Sequence, residues 1–320
     1  MALSAALVLA GCGTSGSVTT RSTVTHDTST GTVTTVVTRT TAPKPKPPPG
    51  PPYRVRQIVV PFVDSSRTVT YPGESPQPRR LVTIVRYPVG PGTFPLIIFG
   101  HGFAVTPGIY ASLLEAWARA GYVVAAPIFP LGNQNAPGGP NETDLVNQPR
   151  DMSFVITRLL ALSRGDHGPL GGRIDAHQIA VSGQSDGGNT ALTAAYNSQF
   201  RDARIRAAAI LSGMEIPGVG GYDFPAPNPP LLATQGLADT INPPQYTYAF
   251  FDIAPAPKYL LTLPGAPHLG PYTDEEPQLR IVERVTIDFF NGYLKGMRGA
   301  LARMRVTGNV PGLAALQADP

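Results

Sequence analysis

The chain has 320 residues, of which 42% are apolar, enough to build a sizeable core. Its formal charge of +4 comes from scattered Lys and Arg with no basic stripe interleaved with aromatics, which disfavours a nucleic-acid partner. A single cysteine, Cys12, excludes an internal disulfide.

Ala2 to Ala10 form a short apolar run, too short to span a bilayer. The run ends in Leu9-Ala10-Gly11-Cys12, which resembles the lipobox of bacterial lipoproteins. That resemblance implies a signal peptide over residues 1–11, cut before Cys12, whose sulfur then carries a diacylglyceryl group. Two acyl chains suffice for stable anchoring, so the implied location is extracytoplasmic, as a bacterial membrane lipoprotein or a secreted protein. No Lys or Arg precedes Arg21, whereas a signal peptide ordinarily opens with positive charge.

Residues 12–52 begin rich in Thr and Ser and end in a proline run from Pro43 to Pro52. Such a segment buries too little surface to offset chain entropy and reads as a disordered, semi-rigid tether. Globular patterning starts near Tyr53. Short β-rich runs cover 54–60, 67–71, 81–87, 96–99, 122–126, 178–182, 207–211, 231–235 and 259–263. Apolar residues at helical spacing cover 110–120, 152–162, 189–196 and 282–294. Strands that first follow one another and then alternate with helices predict an α/β domain over 53–300. Its expected core is a mostly parallel sheet of about eight strands flanked by helices. Residues 301–320 carry no clear signal and read as a tail.

The most informative stretch is Ile179-Ala180-Val181-Ser182-Gly183-Gln184-Ser185-Asp186-Gly187-Gly188-Asn189. An apolar strand enters Gly-x-Ser-x-Gly and a helical segment leaves it, the context in which a serine is forced into a sharp turn. Ser185 would then stand at a helix N-terminus, where backbone N–H groups favour negative charge. This setting resembles the nucleophile elbow of the α/β-hydrolases, in which the acid and the histidine follow the serine in that order.

Of five histidines only His268 lies beyond Ser185, in a loop just past a predicted strand. The acid is expected after the strand 231–235, in Gly236-Leu237-Ala238-Asp239, which selects Asp239 over Asp252, Asp274 and Glu275. Asp239 would hold the imidazole in the right tautomer and stabilise its cation. An oxyanion hole needs two backbone donors, here the N–H of Asp186 and that of Phe103 in Gly100-His101-Gly102-Phe103.

Those motifs, with Gly265-Ala266-Pro267-His268 and Gln148-Pro149-Arg150-Asp151, make residues 90–295 resemble the dienelactone-hydrolase and cutinase-like polyester-hydrolase branch. The elbow carries Gln184 and Asp186 where bacterial polyester hydrolases carry His and Met. The stretch Leu211 to Glu215 lacks their Trp. His101, Gln184 and Met214 are the residues expected to border the substrate, with His101 bracing its loop rather than serving as a second base. The implied activity is hydrolysis of a small-molecule or lipid ester through an acyl-enzyme, with no metal or organic cofactor. The alternatives are a surface lipoprotein that binds a ligand on the same scaffold without catalysis, and a hydrolase of enol-lactones or peptides. Fold alone does not separate them.

Overall fold

The computed structural model describes residues 18–28, 31–41, 51–165 and 167–320, the first two ranges as backbone only. The expected signal peptide and Cys12 lie outside the described residues. Contacts divide the chain between Pro48 and Pro49. In the first unit β1 (Val18–Thr28) pairs antiparallel with β2 (Gly31–Thr41). Composition predicts a tether without regular structure here. A hairpin stands instead, because the Thr and Val that dominate both segments are β-branched and favour extended backbone.

The second unit is built on nine strands: β3 (Val55–Val69), β4 (Gln77–Pro88), β5 (Phe94–Gly100), β6 (Val123–Pro127), β7 (Ile174–Gln184), β8 (Ile205–Leu211), β9 (Leu231–Gly236), β10 (Lys258–Leu263) and β11 (Ala315–Asp319). Their order across the sheet is β11-β10-β9-β8-β7-β5-β6-β4-β3. The six central strands run parallel, while β3, β4 and β11 pair antiparallel with their neighbours. This is the α/β-hydrolase arrangement, a mostly parallel mixed sheet flanked by helices.

Two expectations are corrected at the edges. The runs 54–60 and 67–71 belong to one strand, whose register shifts between Asp64 and Thr68. At that bulge Asp64 accepts hydrogen bonds from Ser66 N and Oγ and from Arg67 Nε, so a polar cluster interrupts the alternation without ending the strand. The expected tail is also structured. It forms α7 (Ala300–Thr307, below) and then β11, which pairs with β10 through Lys258 opposite Asp319. A five-residue strand that alternates exposed and half-buried positions carries too little apolar content to stand out in isolation.

Both faces of the sheet are covered. The helices are α1 (Ala111–Arg119), α2 (Gln148–Arg164), α3 (Asp186–Tyr196), α4 (Pro244–Ile253), α5 (Gly270–Thr273), α6 (Gln278–Tyr293) and α7 (Ala300–Thr307). Side chains alternate across β5, so Leu96 and Ile98 join the core shared with α2, α3 and α4, while Ile97 and Phe99 join the core shared with α1 and α6. Every residue of β5 is buried, which explains its unbroken apolar run. Trp117 of α1 packs edge-on against Phe290 of α6 and donates its indole N–H to Thr286 Oγ1 at 2.8 Å. Among the described residues no helix is long and apolar enough to cross a membrane.

One buried charge cluster fixes the approach to the site. Arg79 of β4, 1% exposed, spans two carboxylates, donating to both oxygens of Asp144 at 2.8 Å and to Asp151 at 3.0 and 2.6 Å. Asp151 lies in the first turn of α2, and Gln148 at the same end accepts from Thr190 Oγ1 of α3. The stretch Gln148 to Asp151 thus ties the sheet, α2 and α3 together. Replacing Arg79 with Met should leave buried Asp144 without a cation and Asp151 with Arg67 alone, 2.7 Å away. The expected loss is about 3–5 kcal/mol, read as a lower midpoint in urea unfolding.

Candidate active site

The sheet changes direction of growth at β5, with β6 on one side of it and β7 on the other. Ligands of open parallel sheets sit at the carboxyl ends of strands at such a switch point. Here those ends are Gly100-His101-Gly102-Phe103 and Gln184-Ser185, brought side by side by the pairing of Gly100 with Gly183.

Between β7 and α3 the chain reverses at Ser185, which has φ 56° and ψ −125°. A non-glycine residue held at positive φ is strained, and only surrounding packing keeps it there. That packing is backbone on backbone. A Cβ at Gly183 would lie 2.0 Å from Gly187 O, and one at Gly187 would lie 2.0 Å from Gly100 O. The elbow therefore needs both glycines, and Ser185 is pushed out of the turn while both its neighbours stay buried.

Two further loops converge on it. Gly236, the last residue of β9, lies so close to the histidine loop that a Cβ there would sit 2.4 Å from Ala266 O. Leu237 N and Ala238 N donate to Leu263 O and Ala266 O. These contacts set Asp239 Oδ2 2.7 Å from His268 Nδ1. The other oxygen, Oδ1, accepts from Ile241 N and Asn242 N, both at 2.9 Å. Burial alone would raise this carboxyl, but the hydrogen bonds from His268 and the two amides hold it below the ordinary carboxylate value. It stays ionised and keeps the proton on Nδ1.

Gln184 fills the space between the loops. Its side-chain nitrogen lies 2.9 Å from His268 O and 3.2 Å from His268 Nε2, and its Oε1 accepts from Tyr110 at 2.7 Å. Among the described residues no hydrogen bond joins Ser185 Oγ to His268, and Gln184, which precedes the serine, contacts the histidine. On the far side a Cβ on Gly102 would stand 3.3 Å from Ser185 Cβ, so the loop from Gly100 to Phe103 passes directly beside the serine. Neither Phe103 N nor Asp186 N donates to any group among the described residues.

The chlorophyllase family model matches residues 58–234, more than half of the chain. The chain belongs to the chlorophyllase family. It is thereby one of the serine esterase-like α/β-hydrolases, a hydrolase family of carboxylic-ester type. No curated protein matches the sequence. The family match takes in the loop from Gly100 to Phe103 and the turn at Ser185 and stops within β9, before Asp239 and His268.

The three residues expected to border the substrate stand in different surroundings. His101 is 1% exposed and both ring nitrogens are engaged, Nδ1 donating to Gly102 O and Nε2 accepting from Phe129 N. Burial lowers its pKa to about 4, so it braces the loop from Gly100 to Phe103 as a neutral ring. Gln184 is also buried, for the reason above. Met214 is half-buried, and its N–H is held by Asn189 Oδ1 of α3 at 2.7 Å. The side chains that are exposed around the convergence point are instead Phe103, Leu237, Ile241 and Leu269. Tyr110 escapes sequence reasoning because its hydroxyl meets Gln184 across 74 residues of chain.

Asp186, the first residue of α3, is 6% exposed and its Oδ2 has no partner. Burial, with a smaller contribution from Glu142, raises its pKa from 3.8 to about 7. The folded protein then holds a proton that the unfolded chain releases near pH 4, so this group lowers stability as pH rises from about 4 to about 7. Asp186→Asn should match the parent in thermal melts at pH 5 and exceed it by about 3 °C or more at pH 8. Gly187→Ala should abolish cooperative unfolding, whereas Gly220→Ala, with nothing within 4 Å of its Cβ, should melt like the parent.

Proposed function

We propose that the protein cleaves carboxylic esters with Ser185 as nucleophile, His268 as general base and Asp239 as its partner. The observation that carries this is the 2.7 Å contact of Asp239 Oδ2 with His268 Nδ1, set beside a serine at φ 56° on a strand-to-helix turn. With Nδ1 protonated, Nε2 carries the lone pair that takes the Ser185 proton. The serine oxygen then adds to the ester carbonyl, and the N–H groups of Phe103 and Asp186 receive the oxyanion. Collapse of the tetrahedral intermediate transfers the proton from His268 to the departing alcohol and leaves an acyl-serine. Water, deprotonated by the same imidazole, adds to the acyl carbon and releases the acid.

The exposed apolar side chains on the loops that carry the site support an ester with an apolar moiety, a small-molecule or lipid ester. The likeness of the five short motifs to dienelactone and polyester hydrolases supports the same chemistry. A diacylglyceryl anchor at Cys12 would hold this site at an extracytoplasmic membrane surface. Loss of detergent-phase partitioning in Cys12→Ser tests that part of the reading.

The decisive measurement is hydrolysis of short p-nitrophenyl acyl esters by the parent and by Ser185→Ala, beside labelling with a fluorophosphonate. The parent should turn over ester and be labelled at Ser185, and Ser185→Ala should lose both, with a fall of about 10⁶ in kcat. A folded parent that neither hydrolyses ester nor takes the probe would point to a ligand-binding protein on a hydrolase scaffold.

A further inference from the structure

Residues Tyr110 and Gln184 form a buried chain of hydrogen bonds from the oxyanion loop to the histidine, and the direction of each bond can be worked out. Gly102 N can only donate, and it lies 3.2 Å from the Tyr110 hydroxyl oxygen. That oxygen accepts from Gly102, so its own hydrogen points to the nearer group, Gln184 at 2.7 Å. The end of Gln184 facing Tyr110 is therefore its carbonyl oxygen. At the other end stands His268 O, which can only accept, 2.9 Å away, so that end is the amide NH₂. Both ends assign the same orientation. The second hydrogen of that NH₂ faces His268 Nε2 at 3.2 Å. Tyr110 and Gln184 are both at most 1% exposed, so water does not compete for these groups.

The consequence falls on the base. His268 Nδ1 donates to Asp239, so Nε2 is the unprotonated nitrogen, and its lone pair is the one Ser185 would use. In this arrangement that lone pair rests on Gln184.

We infer that Gln184 is a positioning residue that sets the resting orientation of the His268 ring, and that Tyr110 couples it to the oxyanion loop. This rests on the ester-hydrolase reading above. An N–H cannot face a protonated Nε2, so as the ring takes the serine proton it leaves the Gln184 amide for Ser185. The bond from Gln184 to His268 O stays in place and acts as the pivot. Gly102, which starts the chain, immediately precedes Phe103, whose N–H receives the oxyanion. The donor that stabilises the intermediate and the base that creates it are thus oriented through one relay.

The test has two arms. In Ser185→Ala labelled with ¹⁵N-histidine, adding Gln184→Met should move the His268 Nε2 resonance towards that of a neutral imidazole nitrogen with no donor. Tyr110→Phe should move it the same way by less. Gln184→Glu, which keeps an acceptor for Tyr110 and removes the donor, is the second variant should Gln184→Met not fold. An unmoved resonance in the folded variant overturns the positioning role. In the active chain, Gln184→Met and Tyr110→Phe should each lower kcat about tenfold with KM within about twofold. The double variant should be within about twofold of Gln184→Met alone. Losses that multiply, or that fall on KM alone, overturn the coupling. If the parent hydrolyses no ester, the esterase reading fails, and the ring resonance still decides the role of Gln184.

Discussion

Three glycines from two strand ends and a helix start meet backbone to backbone, and the rest of the site depends on that meeting. Gly187 lies against Gly100 O, and Gly183 lies against Gly187 O, closer than any side chain permits. Because β5, β7 and α3 touch at this point, the loop after β5 lies beside Ser185 at the start of α3. The strain at Ser185 is of order 1–3 kcal/mol for one residue and is held by a core in which every residue of β5 is buried. The same contact leaves Gln184 facing inward, where only polar partners make its burial tolerable.

The two carboxyls nearest the serine and histidine are driven in opposite directions by their surroundings. Asp239 receives two backbone N–H groups and an imidazole, and ionises readily. Asp186 is equally enclosed but has only a 3.5 Å approach from Asn189, and it keeps its proton towards neutrality. Environments that separate two acids in this way allow them different roles. Asp186, its pKa raised to about 7, is the less readily charged of the two.

Much of this was legible in the sequence wherever the signal was local. Gly183-Gln184-Ser185-Asp186-Gly187 carries its own geometry, since the two glycines are required by a turn five residues long. The parallel strands announce themselves as continuous apolar runs because both faces are covered. His268 follows from order in the chain, and Asp239 from its place after β9. What escaped is long-range or marginal in composition. The Tyr110–Gln184 bond joins an early helix end to the elbow, and no spacing rule connects them. His101 already reads as a brace of its loop, whereas Gln184 reads as a substrate contact because it neighbours a reactive position; a polar side chain beside a site can equally be consumed in holding it together. The Asp64 bulge conceals the continuity of β3 under a run of polar residues.

The two outer strands of the sheet meet solvent in different ways. At one side β11 lays five residues along β10, and its Leu316 reaches back to cover Gly308 at the end of α7. That short strand keeps the apolar β10, with Leu260 and Leu261 buried, from being an outermost strand. At the other side β3 is long and exposes Val59 and Val63, but Pro61 interrupts its donors and the Asp64–Arg67 bulge bends it. A neighbouring molecule seeking to extend the sheet therefore finds a strand of few free donors at one border and a kinked, charged one at the other. These blunted borders oppose edge-to-edge pairing with a second sheet.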